Sequence, residues 1–214
     1  MLNIAVLISG GGTNLQSLID AQNEGRLKSG AIKLVISDRP GVYGLKRAAE
    51  NNIDSLTVDR KTFQNGEEFD KIILEHLRNY NIDIVVLAGF LSILGTELVK
   101  EYENRMINIH PSLIPSFCGE GFYGLKVHRA ALEKGVKVTG ATVHYVNEVA
   151  DDGQIIMQKP VLVRDDDTPE SLQKRVMKEA EWILLPAAVE QICSSAHRTG
   201  EGIFYGKADK DENL

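Results

Sequence analysis

An asparagine and a histidine lie two residues apart in the segment Asn108-Ile109-His110-Pro111. Alternate side chains of a strand share a face, so Asn108 and His110 would project together, with their Cα atoms roughly 6.5 Å apart. Pro111 favours an extended backbone at His110. An amide N–H can stabilise an oxyanion, and an imidazole can give or accept a proton near neutral pH. The pair predicts chemistry at a carbonyl carbon; the competing interpretation is a structural histidine at a strand end.

A second candidate site is the loop Ser9-Gly10-Gly11-Gly12-Thr13-Asn14, between a strand-like run and a helix-like segment. Free N–H groups and the helix dipole favour an anion at such a turn, and glycines let a phosphate approach closely. Leu15 stands where a dinucleotide-binding fingerprint needs glycine, and the lysine of a P-loop is absent. The loop therefore favours a single phosphate, and a tight turn capped by Thr13 or Asn14 is an equally open interpretation.

Three acids, Glu148, Asp151 and Asp152, lie between two late strand-like segments. Acids in a turn are usually solvated, so their position alone assigns them no function. The histidines other than His110 lack the spacing of a ligand cluster, so we predict no metal site from His76, His128, His144 and His197. We interpret His144, near the acidic turn, as structural.

The composition is that of an ordinary globular protein: 214 residues, 43% hydrophobic, 25% charged, with a formal net charge of −6. No lysine/arginine block stands out, which argues against a nucleic-acid partner. No apolar run could span a bilayer, and the N-terminus lacks signal-peptide features. Cys118 and Cys193 show no paired spacing, which fits a reducing compartment. We expect a cytoplasmic protein with small-molecule substrates, and the oligomeric state stays undetermined.

Short apolar runs alternate with helix-like segments in the first half of the chain. Strands are predicted at 4–8, 32–37, 55–58 and 84–88, with helices at 14 onward, 44–51 and 69–79. Later elements are a strand at 105–109 and a helix at 127–134. Two strands at 136–146 and 154–163 are predicted to form an antiparallel hairpin, and a long helix follows from 168 to about 193. Such alternation predicts an α/β fold with a mainly parallel central sheet and helices on both faces.

The segment from Asn108 to Pro115, Asn-Ile-His-Pro-Ser-Leu-Ile-Pro, resembles the signature of formyltransferases that use 10-formyltetrahydrofolate. Further matches extend the resemblance through about Ile192; they include Ile8-Ser9-Gly10-x-Gly12-Thr13-Asn14-Leu15, Ser37-Asp38, Leu87-Ala88-Gly89-Phe90, Gly140-Ala141-Thr142-Val143-His144 and Asp151-x-Gly153. The resemblance implies the formyltransferase fold. It also implies transfer of a formyl group from 10-formyltetrahydrofolate to the amine of a small phosphorylated substrate, without a metal.

The resemblance implies a catalytic trio of Asn108, His110 and Asp151. Asp151 matches an aspartate two residues before the turn glycine, Gly153, and Asp152 is its local competitor. Asn108 and His110 would stabilise the oxyanion of a tetrahedral intermediate. Asp151 would orient the imidazole and accept a proton from the attacking amine.

The resemblance also implies that the substrate phosphate binds at Gly12, Thr13 and Asn14. It adds Lys178 near the phosphate and Glu181 at the ribose hydroxyls. Because they are three residues apart, Lys178 and Glu181 should share one face of the last helix. An ordinary surface ion pair is the competing interpretation.

The folate is expected to lie against one segment after the fourth strand and against the acidic turn: Phe90, Leu91, Ser92, Ile93, Leu94, Glu148 and Asp151. The match departs at Ser92, where several relatives carry an arginine. We expect one domain over 1–194, with a phosphate-binding half (1–100) and a folate and catalytic half (101–194), followed by a polar tail (195–214).

Three alternatives stay open on the sequence. Methionyl-tRNA formyltransferases share the Asn-x-His-Pro-Ser core but carry a C-terminal RNA-binding domain, for which this chain lacks the length and positive charge. 10-Formyltetrahydrofolate hydrolases share Gly-Ala-Thr-x-His-Tyr-Val but usually carry an N-terminal regulatory domain. A non-catalytic phosphate-binding module would bind a ligand without turnover.

Overall fold

The chain is built around a seven-stranded sheet in a computed structural model that describes residues 1–199 and 202–205. The strands of this sheet are β1 (Leu2–Ile8), β2 (Gly30–Ser37), β3 (Asp54–Thr57), β4 (Ile84–Leu87), β5 (Met106–His110), β6 (Val138–Tyr145) and β7 (Ile155–Leu162). The helices are α1 (Thr13–Asn23), α2 (Tyr43–Glu50), α3 (Gly66–Asn79), α4 (Thr96–Glu101), α5 (Leu125–Lys134), α6 (Pro169–Val176) and α7 (Trp182–Ser195).

The strands lie in the order β3-β2-β1-β4-β5-β6-β7. Strands β1 to β5 pair in parallel, whereas β6 pairs antiparallel with both β5 and β7. This arrangement confirms the predicted α/β fold, with its mainly parallel sheet, its late antiparallel hairpin and its long C-terminal helical segment. Within the described residues, no helix is long and apolar enough to cross a membrane.

The two faces of the sheet are covered by separate hydrophobic clusters. Ile4, Val6 and Ile8 of β1 belong to the cluster that contains α1 and α7. Ala5 and Leu7, which point the other way, belong to the cluster that contains α3 and α4. Because both faces are buried, residues 4–8 of β1 are an uninterrupted apolar run instead of an alternating one.

The order of the strands reverses between β1 and β4, since β2 and β3 lie on one side and β5 on the other. In open α/β sheets, ligands bind beyond the carboxyl ends of the strands at such a reversal. The glycine loop follows β1, Phe90 comes shortly after the end of β4, and His110 is the last residue of β5. The topology therefore gathers the candidate residues of the first and second halves at one edge of the sheet.

The long C-terminal helix differs from its predicted form. It begins at residue 168 as expected, and the structure shows a capping box there, in which Thr168 Oγ1 accepts from Ser171 N and Ser171 Oγ accepts from Thr168 N. It is then interrupted by a π-helical turn at Met177–Glu181, which joins α6 to α7. Hydrophobic spacing alone does not distinguish a π-helical turn from the α-helix around it.

Helix α4 and the two strands that follow α7 were not predicted. Helix α4 has only six residues, too few for a periodic signal, although Leu98 and Val99 are buried. In the region predicted as a polar tail, β8 (Ala196–Thr199) and β9 (Gly202–Tyr205) form an antiparallel pair. Residues 200, 201 and 206–214 of that predicted tail lie outside the described residues.

Gly12 is required by the way α2 packs on the glycine loop. Its φ is 68°, and a Cβ there would lie 2.7 Å from the Cα of Gly44. Gly44 N also donates to Gly10 O at 3.1 Å, so the loop and α2 are in direct contact. Gly11 has neither the positive φ nor the close neighbour, since a Cβ there would have nothing within 4 Å.

We predict that Gly12→Ala lowers the free energy of unfolding by about 2 kcal/mol or more, through left-handed backbone strain and the clash with Gly44. Gly11→Ala is the matched control, and should change it by less than about 1 kcal/mol. Urea unfolding followed by circular dichroism measures both. Equal effects of the two substitutions would contradict this account of the loop.

Candidate active site

Asn108 and His110 lie on β5 with the alternation that the sequence predicts. Opposite them on β6, Asn108 pairs with His144 and His110 pairs with Thr142. His110 is buried and Asn108 is partly buried, because β5 has a neighbouring strand on each side. The strand therefore supplies an amide and an imidazole at the edge where the topology places a ligand.

Asp151 reaches this pair from the acidic turn between β6 and β7. Its Oδ2 lies 3.3 Å from His110 Nδ1, and its Oδ1 lies 3.4 Å from Asn108 Nδ2. Gly119 N donates to the same Oδ2 at 2.8 Å, and Asp151 has a φ of 56°. Asp152, its competitor in sequence, is exposed and accepts from Asn147 Nδ2 instead. The structure thus brings Asn108, His110 and Asp151 together.

The pKa values of the acid and the imidazole reflect burial and their mutual contact. Burial would raise the pKa of Asp151, but the contact with His144, the charge of His110 and the Gly119 N–H lower it below its ordinary value. Burial lowers the pKa of His110, although the Asp151 carboxylate and the Phe117 carbonyl both oppose this. At neutral pH the site therefore holds an ionised carboxylate beside a neutral imidazole.

Both ring nitrogens of His110 face acceptors. Nδ1 faces the Asp151 carboxylate, and Nε2 lies 2.9 Å from the carbonyl oxygen of Phe117. A neutral imidazole has one N–H, so it can satisfy only one of these acceptors. A polar substrate group that donates a hydrogen bond to the unprotonated ring nitrogen, in place of one of these two acceptors, would satisfy both nitrogens. The site is therefore suited to a polar ligand.

His144, which the sequence analysis treats as structural, is part of this cluster. Its Nε2 lies 3.1 Å from Asn108 Nδ2 and 3.5 Å from Asp151 Oδ1. Its Nδ1 lies 2.8 Å from the carbonyl oxygen of Tyr145, so the ring is held on both sides. The signal that could have found it is strand register, since only the pairing of β5 with β6 sets His144 opposite Asn108.

The glycine loop meets the C-terminal helical segment through Asn14 and Glu181. Asn14 Nδ2 donates to Glu181 Oε2 at 2.6 Å, and both side chains are buried. Burial raises the pKa of Glu181 to about 7, although the bond from Asn14 opposes the rise. Asn14 Oδ1 is buried and has no hydrogen-bond partner, so it can accept from a ligand hydroxyl. Gly12 and Thr13 complete the loop at the start of α1.

Lys178 and Glu181 do not share a face, contrary to the expectation from their spacing. Glu181 is buried, whereas Lys178 is exposed. Both lie in the π-helical turn, whose wider winding changes the direction of residues three apart from that of an α-helix. The structure brings Glu181 to the glycine loop and leaves Lys178 in solvent.

The segment predicted to contact folate divides its side chains between core and surface. Phe90 and Leu94 pack against the α3 and α4 cluster, while Leu91 and Ile93 are 45% and 83% exposed. Ser92 Oγ donates to the buried carboxylate of Asp38 at 2.7 Å, so its hydroxyl already has an acceptor.

Glu148 forms an exposed ion pair with Lys100 at 3.2 Å. Because Lys100 belongs to α4, this pair links the acidic turn to the helix that comes after the predicted folate segment.

A family model for formyl transferases matches residues 2–189 of the chain. This protein belongs to the formyl transferase family. Phosphoribosylglycinamide formyltransferase of Haemophilus influenzae is 37% identical over 97% of this chain and 96% of its own length. The crystal structure of glycinamide ribonucleotide transformylase 1 from Symbiobacterium toebii superposes with a TM-score of 0.85, at 40% identity, covering 96% of this chain and 94% of that one.

A longer relative is the trifunctional purine biosynthetic protein adenosine-3 of Homo sapiens, which is 45% identical over 92% of this formyl transferase. The match covers 19% of the human protein, so this chain spans about a fifth of that relative's length. In the described part of this formyl transferase, no group of three or more histidine, cysteine, aspartate or glutamate side chains could hold a metal ion.

We predict that the stability of this formyl transferase falls as the pH rises, through Glu181. The pKa of Glu181 is raised from its ordinary value of 4.5 to about 7. At a pH between these two values, Glu181 is protonated in the folded state but has lost its proton in the unfolded state. The stabilisation is therefore complete below pH 4.5 and is lost as the pH passes about 7.

Glu181→Gln removes this titration. The wild type should lose up to about 3 kcal/mol relative to the variant between acid and mildly alkaline pH. Urea unfolding at several pH values without ligand measures the difference. Glu179→Gln, an exposed glutamate of the same turn, is the control and should follow the wild type. A constant difference between wild type and Glu181→Gln would contradict the prediction.

Proposed function

We propose that the protein transfers the formyl group of 10-formyltetrahydrofolate to the amine of glycinamide ribonucleotide, giving formylglycinamide ribonucleotide and tetrahydrofolate in purine biosynthesis. The observation that carries the proposal is that Asn108 and His110 both contact the Asp151 carboxylate at the carboxyl edge of the sheet. The distances are 3.4 Å from Asn108 Nδ2 and 3.3 Å from His110 Nδ1. The names and the near-complete coverage of the phosphoribosylglycinamide formyltransferase and transformylase relatives support the choice of acceptor.

The proposed chemistry is attack of the substrate amine on the formyl carbon. A new C–N bond forms, the carbonyl electron pair moves to oxygen, and Asn108 and His110 stabilise that negative charge. The attacking nitrogen loses a proton to Asp151, whose lowered pKa keeps it ionised at neutral pH. The bond from carbon to the folate nitrogen then breaks, that nitrogen takes up the proton that Asp151 accepted, and the carbonyl re-forms.

The substrate side of the site would be the glycine loop. The backbone N–H groups of Gly12, Thr13 and Asn14 lie at the start of α1, where a phosphate dianion is favoured by the helix dipole. Asn14 Oδ1 and the Glu181 carboxyl would accept from ribose hydroxyls, because both are buried next to the loop. Lys178 is exposed, so its side chain would have to change conformation to reach the phosphate.

The folate side would be formed by residues after β4 and by the acidic turn. Leu91 and Ile93 offer exposed apolar surface for a ring or its linker. Glu148 and Asp151 would contact the pteridine from the turn. Ser92, bonded to Asp38, would help to shape this segment and would make no direct contact.

Folate release with and without the acceptor tests the function. The purified protein is incubated with 10-formyltetrahydrofolate, and tetrahydrofolate formation is followed spectroscopically. We expect release only when glycinamide ribonucleotide is present. Equal release without the amine would identify a hydrolase, and binding of both ligands without release would identify a non-catalytic module; either result would overturn the proposal.

We predict that Asp151→Asn lowers kcat at least about 100-fold, since an amide cannot accept the proton. KM for glycinamide ribonucleotide should change little, because the glycine loop is untouched. Asp152→Asn is the matched control, with the same change one residue away on an exposed side chain. Steady-state kinetics at neutral pH measure both variants, and similar losses in the two would contradict the assignment of Asp151.

A further inference from the structure

We propose that Gln158 is a positioning residue for His110, acting through the hydroxyl of Thr142 and the loop 112–117. This inference rests on the proposed function for its kinetic consequences, but the geometry that carries it is independent of the substrate. Gln158 lies on β7, two strands away from the imidazole. It does not touch the reacting groups, and so acts at a distance through the residues between.

The three residues form one row across the sheet. His110 on β5 is the partner of Thr142 on β6, and Thr142 is the partner of Gln158 on β7. Directly opposed residues on neighbouring strands place their side chains on the same face. The row therefore extends from the candidate catalytic imidazole to the edge strand of the sheet.

The hydroxyl of Thr142 is the hub of this row, and it is fully used. It donates to Ser112 O at 2.7 Å and accepts from Ile114 N at 3.1 Å and from Gln158 Nε2 at 3.0 Å. A hydroxyl has one donor and two acceptor sites, so these bonds satisfy it completely. Thr142 itself is buried, so its hydroxyl is held in one orientation by these three partners.

Gln158 closes the arrangement from the outside. Its side-chain nitrogen donates to Thr142 Oγ1 and also to Ile114 O at 2.9 Å. These two bonds account for both N–H groups of the amide. With Thr142 bound to Ile114 N, the backbone of Ile114 is held at its N–H and its carbonyl by two adjacent strands.

The held loop ends at the carbonyl that contacts the imidazole. Ser112 Oγ donates to Ser116 O at 2.5 Å, and Ser116 N donates to Leu113 O at 3.0 Å, so the turn is closed by its own hydrogen bonds. Phe117 comes next in the chain, with a φ of 52°. Phe117 O then lies 2.9 Å from His110 Nε2. The amide of Gln158 thus fixes which acceptor the second imidazole nitrogen meets.

The test uses Gln158→Met, which keeps the length of the side chain and removes both donors. Gln158 is exposed, so the substitution should leave the melting temperature close to that of the wild type. Gln191→Met, an exposed glutamine on α7, is the matched control. Thr142→Ser keeps the hydroxyl and should behave as the wild type, whereas Thr142→Val should reproduce the Gln158→Met effect.

We expect Gln158→Met to lower kcat about tenfold, with KM for both substrates within about twofold. The ¹⁵N chemical shifts of the His110 ring, measured by NMR without substrate, should differ from the wild type in Gln158→Met and match it in Gln191→Met. Unchanged kcat and unchanged ring shifts in Gln158→Met would overturn the proposal. A loss of kcat in Thr142→Ser equal to that in Gln158→Met would also overturn it. If the wild type proves not to be a formyltransferase, the ring shifts alone still decide the question.

Discussion

The organising interaction is the contact between the Asp151 carboxylate and groups from three other parts of the chain. His110 and Asn108 come from β5, His144 from β6, and the Gly119 N–H from the loop after β5. Even a partly buried carboxylate is costly unless it is hydrogen-bonded, so the carboxylate constrains all of these elements at once. Its cost is offset here by partners that also lower its pKa, which keeps it ionised at neutral pH.

The other half of the site depends on a different constraint, close packing of backbone around glycines. Gly12 and Gly44 let α2 approach the loop closely at the start of α1. Behind it, the buried pair of Asn14 and Glu181 ties the loop to the π-helical turn. The glycine loop is also joined to the proposed folate segment, because Leu91 N donates to Ser9 Oγ at 2.7 Å.

Much of the fold and part of the site could be predicted from local sequence. The apolar runs of β1 and β4, the capping box at Thr168 and the shared face of Asn108 and His110 depend on short-range periodicity and turn chemistry. Short-range rules could not reveal α4, which is too brief, or the π-helical turn, whose spacing resembles an α-helix. They also misplaced Lys178 relative to Glu181, because one wider turn changes the direction of every side chain within it.

The sequence by itself determined the alternation of strands and helices, the loop that fits a phosphate, and the residue types available for carbonyl chemistry. These properties depend on neighbours in the chain and on the resemblance of short motifs. Only the tertiary structure decided that His144 joins the site, that Asp151 and not Asp152 faces the imidazole, and that Gln158 is linked to His110. The physical reason is that register and burial are set by pairing between distant strands, and no local pattern encodes them.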